Sequence, residues 1–345
     1  VDKIAIIGLG LIGGSIGMGL KASGVDLEVV GFDVEVSTGK RAAKRGAVDR
    51  AAWGLPETVE GANMVIIATP VMEVREVIEA ISDLVPSGCV ITDTGSTKES
   101  ILAWAEEYLP SEVSFVGGHP MAGKEVSGIN NADANLLHRA RYAIIPGKGA
   151  RPDAIDAVVR MVELVGAKPF FVDAQEHDSY VAAVSHLPIV LSSALVTSAA
   201  SSLSWREMSK LAATGFQDAT RLASGDPVMS LDICVTNREP ILHWLDEVIH
   251  ELQNYRGMVE ATKDQAGAEK LGEAFANSWA AREKWLSMYE SGRDELDEPS
   301  VKLPSAGDQV ADLILGGRMR ERYQRVLALQ AQRLADRLPR RPRAP

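Results

Sequence analysis

Over the first half of the chain, short runs of apolar, largely β-branched residues alternate with longer segments whose apolar positions recur every three or four residues. The runs Ile4–Ile7, Leu27–Phe32, Met64–Ala68, Cys89–Thr92 and Val113–Val116 carry little polar alternation, the pattern of strands buried on both faces of a parallel sheet. Between them, Ile12–Ala22, Ser37–Arg45, Val71–Leu84 and Lys98–Tyr108 read as helices. Arg141–Ile145, Asp153–Val165 and Pro169–Val172 add a strand, a helix and a strand. Alternation of this kind predicts a doubly wound α/β domain over residues 1–173.

The texture changes after Val172. Strand signals nearly vanish and helical spacing takes over, as in Val181, Val184, Leu187, Leu191 and Leu195, and again in Ile241, Leu245, Val248, Ile249 and Leu252. Small residues crowd Ser192–Ser204, which suits close helix–helix contact. The pattern predicts an all-helical domain over 174–330, with a linker or loop at Glu295–Gln309, an Arg-rich helical stretch at Arg318–Leu338 and an Arg/Pro-rich tail over 331–345.

Composition narrows the function classes. A length of 345 residues fits two domains at roughly 150 residues each. Hydrophobic residues at 46% and charged residues at 24% exclude disordered, collagen-like and disulfide-scaffold proteins. The net charge of −11 repels phosphate backbones and argues against nucleic-acid binding. Cys89 and Cys234 lie in apolar runs without a CxxC or His/Cys cluster, so both are expected as buried thiols in a reducing, cytoplasmic compartment. No apolar stretch reads as long enough to span a membrane, and a strand-like run at the very start leaves no room for a signal peptide.

The first strand runs into Gly8-Leu9-Gly10-Leu11-Ile12-Gly13-Gly14-Ser15, a GxGxxG turn with a strand before it and a helix after it. Gly8 permits the tight turn, Gly10 lets backbone approach a pyrophosphate, and Gly13 lets the helix pack on the strand. The amides of Leu11 and Ile12 would face the phosphates at the helix N-terminus. Asp33 follows Gly13 by 20 residues and ends the second strand, where a carboxylate can hold an adenosine ribose. The combination predicts a Rossmann-type dinucleotide site, and the carboxylate favours NAD over NADP, although Lys40 and Arg41 lie a few residues on. A glycine turn kept for packing alone would not explain Asp33. Ala68-Thr69-Pro70 and Asp93-Thr94-Gly95-Ser96-Thr97-Lys98 end two further strands and are expected to border the cofactor. Ser96 and Thr97 also suit N-caps for the helix near Lys98.

His119 follows the strand Val113–Val116 in a loop of Gly and Pro, a place for a general base held on a stiff, exposed turn. Oxidising an alcohol requires taking the hydroxyl proton as hydride leaves, and an imidazole can do so near neutral pH.

Five motifs in order, Gly8–Ser15 (GxGLIGGS), Asp93–Lys98 (DxGSxK), Gly117–Gly128 (GxHPMAGxExSG), Ser185–Pro188 (SHLP) and Gly215–Pro227 (GFxDxTRxAxxDP), make the chain resemble the prephenate and arogenate dehydrogenases of tyrosine biosynthesis. The resemblance runs from residue 3 to about 260. It implies that His119 takes the proton of the ring 4-hydroxyl and that Ser96 bonds the same hydroxyl or His119 beside the nicotinamide. It further implies that Glu125 gates or orients the substrate, that His186 and Arg221 hold its carboxylate-bearing end, and that Asp218 positions Arg221. A guanidinium suits a dicarboxylate substrate. Without the resemblance, His186 reads as a core histidine and Asp218 with Arg221 as a surface helix pair.

His177 at the domain junction reads as structural, and His138, His243 and His250 carry no assignment. No residue spacing suggests a metal. The family's chorismate mutase and ACT domains are not expected in this chain. A homodimer through the helical domain is expected. Two rivals stay open: a β-hydroxyacid dehydrogenase or imine reductase of the same plan, which would place a lysine on the early helix where His186 stands, and a non-enzymatic NAD-binding protein.

Overall fold

The structure, a computed structural model, describes residues 2–124 and 126–291. Glu125, the linker at 295–309, the Arg-rich stretch at 318–338 and the tail at 331–345 lie outside the described residues. Eight strands form one sheet: β1 (Asp2–Ile7), β2 (Leu27–Phe32), β3 (Arg50–Ala51), β4 (Met64–Ile67), β5 (Val90–Asp93), β6 (Ser114–Pro120), β7 (Arg141–Pro146) and β8 (Lys168–Phe171). Their order is β3-β2-β1-β4-β5-β6-β7-β8, and every pairing is parallel except the antiparallel β6–β7. Neighbouring residues along each central strand belong to different cores. Ile4, Ile6, Met64 and Ile66 pack on one face with Leu20, Val158 and Val162, whereas Ala5, Ile7, Val65 and Ile67 pack on the other with Val74, Ile78 and Ile101. Burial on both faces is why these runs lack polar alternation.

Five helices matter to the site on the sheet side: α1 (Leu11–Ala22), α2 (Val36–Lys44), α3 (Leu55–Val59), α4 (Val71–Ile81) and α5 (Glu99–Tyr108). After α6 (Pro152–Leu164) and β8 the chain is helical: α7 (Ala174–Val181), a π-helical turn (Ala182–His186), α8 (Leu187–Ala200), α9 (Trp205–Met208), α10 (Thr214–Thr220), a 3-10 turn (Arg221–Ser224), α11 (Pro227–Thr236), α12 (Arg238–Glu260) and α13 (Gln265–Ser291). Two compact units divide the chain, one running through Asn254 and the other starting at Tyr255.

Within the first unit the helical segment docks on the sheet through the starts of two helices. The Asp178 carboxylate accepts the amides of Lys98 (2.8 Å) and Glu99 (2.9 Å) at the head of α5. Asp232 accepts the amide of Met72 (3.2 Å) in the first turn of α4. Helix N-termini present unpaired N–H groups and a positive dipole end, so carboxylates are stabilised there. The expectation that Ser96 or Thr97 caps this helix is thereby corrected: α5 has no local side-chain cap, because Asp178 takes its first amides, and Thr97 instead bonds Thr236 (2.9 Å).

Three further expectations change. β6 extends through Pro120, so His119 lies inside a strand and is buried, not on an exposed turn; β7 pairs alongside it, with His119 opposite Ala143, after β5 has ended. Cys234 is half-buried, while Cys89 is buried and its thiol is pushed up to about 11 by that burial. The segment Ala174–Ala200 is one helical run, and it is long enough, with an apolar enough stretch, to cross a membrane by length and composition. Its Ala, Ser and Thr residues hide that length from a search for unbroken large apolar side chains.

Candidate active site

The glycine turn shows which of its glycines the protein needs for itself. Gly8 has φ +91°, and a Cβ there would sit 2.5 Å from the Ala68 carbonyl oxygen; a Cβ on Gly13 would sit 2.0 Å from the Gly8 oxygen. A Cβ on Gly10 would meet nothing within 4 Å. Gly8 and Gly13 are thus fixed by packing against Ala68 and the turn, whereas Gly10 opens a space at the N-terminus of α1 that the chain itself does not fill. Gly10 stands as the N-cap of α1 without a side-chain cap, with Leu11 and Ile12 as its first residues. Such a terminus suits a pyrophosphate.

Asp33 accepts the amides of Leu9 (2.9 Å) and Glu35 (2.9 Å), one on each carboxylate oxygen. It therefore ties the glycine turn to the end of β2, and each oxygen retains a lone pair for a ribose hydroxyl. Beside it a cavity of about 290 Å³ is lined by Asp33, Val36, Gly39, Lys40 and Trp53, among others. Thr69 and Pro70 follow β4 directly ahead of α4 and complete the rim beyond the strand ends. The residues present fit a bound dinucleotide.

The reacting groups gather where β6, the β5–α5 turn and α7 meet. His119 Nδ1 lies 2.9 Å from His177 Nε2, and His177 Nδ1 lies 2.8 Å from Asp178 Oδ1. The proton positions follow from this chain. A carboxylate only accepts, so His177 donates from Nδ1 and is left with a lone pair on Nε2. That lone pair accepts from His119 Nδ1–H, which leaves His119 Nε2 unprotonated. Burial foremost, then the neighbouring His177, Lys98 and His186, holds His119 well below the usual imidazole range. The arrangement supplies a neutral imidazole of fixed tautomer, able to take a proton at Nε2.

His177 is the functional candidate that sequence reading set aside. Its only sequence signal is the dipeptide His177-Asp178 near the start of a helical run, and its nearness to His119 arises only from the fold.

His186 is fully buried, and its Nδ1 pairs with Asn237 Nδ2 (3.0 Å), which also donates to the Asp178 carbonyl (2.7 Å). Asn237 Nδ2 can only donate, so His186 accepts at Nδ1 and carries its proton on Nε2, which has no hydrogen-bond partner. Burial pulls His186 down to about 4 against the opposing charge of Asp178. The π turn explains its position. Nine α-helical residues at ~100° each would put His177 and His186 on opposite faces. A π turn carries more residues per turn and removes part of that rotation, and such turns recur at functional sites.

Ser96 is half-buried in the turn after β5, its backbone against the His186 ring. His119, His177, His186 and Ser96 are therefore brought together. Asp218 and Arg221 are exposed, Asp218 on α10 and Arg221 on the 3-10 turn that packs on α8, where Ser192 donates to the Ala219 carbonyl (2.9 Å). Among the described residues, no group of three or more His, Cys, Asp or Glu side chains is arranged to hold a metal ion.

Comparison with known proteins adds the following. The family model described as "Prephenate dehydrogenase, nucleotide-binding domain" matches residues 16–170, and "Prephenate dehydrogenase, dimerization domain" matches 173–277. The chain is 36% identical over 275 residues to the prephenate dehydrogenase of Bacillus subtilis, covering 78% of this chain and 72% of that one. Among solved structures it is similar to prephenate dehydrogenase from A. aeolicus in complex with hydroxyphenyl propionate and NAD+, with a TM-score of 0.74, 27% identity and coverage of 81% and 98%. It is also similar to Synechocystis arogenate dehydrogenase, with a TM-score of 0.69, 26% identity and coverage of 82% and 99%.

Proposed function

This chain belongs to the prephenate dehydrogenase family of NAD-dependent oxidoreductases, and we propose that it catalyses the oxidative decarboxylation of prephenate to 4-hydroxyphenylpyruvate with His119 as general base. The observation that carries this reading is the chain Asp178–His177–His119, which leaves one imidazole nitrogen ready to accept a proton. NAD, bound at the glycine turn, supplies the hydride acceptor. Gly10, Leu11 and Ile12 would hold its pyrophosphate and Asp33 its adenosine ribose, with Gly8, Gly13, Ala68, Thr69, Pro70 and Ser96 shaping the rim.

His119 Nε2 takes the proton of the substrate 4-hydroxyl as hydride leaves the same carbon. The carboxylate bond on the ring breaks, CO2 departs, and its electron pair completes the aromatic ring. The proton then returns to the phenolic oxygen. Aromatisation drives the step, so the protein has to supply positioning and one base. The His177–Asp178 pair steadies the imidazolium while it exists. Ser96 would bond the hydroxyl oxygen, and the Nε2–H of His186 would donate to a substrate carboxylate. Arg221, positioned by Asp218, would take the other carboxylate bidentately, with Glu125 on the substrate side.

Arogenate is the second reading. It shares the ring chemistry and carries an ammonium, for which Asp218 or Glu125 supplies a counter-charge, and one similar structure is an arogenate dehydrogenase. Absorbance at 340 nm with NAD and prephenate, then with NAD and arogenate, separates the two. Turnover of prephenate is expected. Turnover of arogenate alone would assign the second substrate, and turnover of neither would reject both. A homodimer through the helical segment fits the same reading, because much of α8 and its neighbours is exposed and apolar in the single chain.

A further inference from the structure

Lys98 is fully buried, an unusual place for an ammonium. Its Nζ forms an ion pair with Asp93 and donates to the Gly118 carbonyl (2.8 Å). Asp93 in turn accepts the Gly118 amide (3.1 Å) and the Gly95 amide (2.7 Å). The two side chains therefore grip both polar groups of one peptide residue, the residue immediately before His119. They also hold Gly95, the residue immediately before Ser96. The backbone amide of Lys98 is one of the two capped by Asp178, the carboxylate that orients His177. One lysine thus touches the strand carrying His119, the turn carrying Ser96 and the relay behind the base.

Gly118 has no freedom of its own that would make this grip redundant. A Cβ there would lie 2.6 Å from the Asp93 carbonyl oxygen and 2.8 Å from the Tyr142 ring, so the strand is drawn tightly against β5 and β7 at this residue. A buried ion pair is a weak source of stability, since removing two charges from water offsets most of their attraction. Its geometry points to the neighbouring histidine instead.

We propose that Lys98, paired with Asp93, is a positioning residue for the reaction, fixing the peptide on which the His119 ring is mounted and keeping a positive charge behind it. The proposal rests on the reading of His119 as the base. Among the described residues, the charged and titratable groups around that ring are His177 and Asp178 on α7, His186 on the π turn, Lys98 ahead of α5, Asp93 on β5 and Tyr142 on β7. Lys98 is among the groups that hold His119 low. Burial pulls Lys98 itself downward, and Asp93 works against that.

Lys98→Met and the charge-balanced pair Lys98→Met with Asp93→Asn test this; the double variant leaves no unpaired buried carboxylate and protects against a folding failure of the single one. Turnover is expected to fall ~10²-fold or more in both while KM for NAD moves less than ~3-fold; in Lys98→Met the acid limb of kcat/KM is expected to move upward by ~0.5 pH unit or more, since a positive neighbour has gone, and in the double variant, which loses a negative neighbour as well, by less. A merely structural lysine would leave the pH limb in place. An unmoved limb with unchanged kcat overturns the proposal. In the unmodified protein, the Lys98 Nζ resonance is expected to shift across the His119 titration, and a resonance flat through that range overturns the proposal without any variant. His119→Asn serves as the separate control: full activity there rejects the base assignment, whereas loss of activity there alongside normal Lys98 variants rejects only the role of Lys98.

Discussion

At the scale of single residues, the site is a matter of which nitrogen holds a proton. His119 is expected to stay neutral below the usual imidazole midpoint, because burial foremost, then His177, Lys98 and His186 beside it, disfavour the charged form. A base must be unprotonated, so kcat/KM should hold steady as pH falls through 6.5 and decline only lower; a decline centred at or above that point would contradict the assignment. His119→Asn should lower kcat ~10²–10⁴-fold with little change in KM. Asp178→Asn makes a sharper test. Asparagine keeps one acceptor oxygen for the two amides at the head of α5, so melting temperature should fall, and it no longer imposes one tautomer on His177. A fall in kcat of ~10²-fold or more in a folded variant is expected, and steady-state rates beside thermal melts decide it.

At the scale of elements, much was legible and the failures have particular causes. The strands β1, β2 and β4 show in sequence because burial on both faces leaves apolar runs with little polar alternation. β3 does not, since two residues carry no pattern. The end of β6 is hidden because Gly-Gly-His-Pro looks like a turn, whereas Gly118 makes room there for Asp93 and Tyr142. His177 carries no signal of its role because its partner lies 58 residues away, and the π turn that carries His186 leaves no mark in hydrophobic spacing. The glycine turn was legible by motif, but only its packing shows that Gly10 alone faces free space. Gly10→Ala should therefore fold normally and weaken NAD binding, whereas Gly13→Ala, with its Cβ 2.0 Å from a backbone oxygen, should fold poorly. Thermal melts and NAD titration calorimetry distinguish these; equal behaviour of the two variants would contradict the division.

At the scale of the whole molecule, the apolar helical run Ala174–Ala200 has too few neighbours within one chain. Only 28% of its most apolar stretch is buried, and Val184 is 77% exposed. Its match to a dimerization domain accounts for that surface better than a lipid phase does, because the same run carries His177, Asp178 and His186 in the candidate site. Light scattering should give roughly twice the 37.0 kDa of one chain, and Leu195→Glu, on an exposed position of α8, should shift the mass towards the single-chain value. A single-chain mass for the unaltered protein would refute the pairing.

The carboxylate of Asp178 serves two masters: the first amides of α5 and the imidazole behind the reacting one. Were α7 to part from the sheet, a helix end would lose its anchor and the proton relay its origin in the same instant. Under the proposed chemistry the protein could not then tear a hydride from its substrate while standing ajar. Seating and reactivity are joined through two oxygen atoms, so a half-assembled site stays silent.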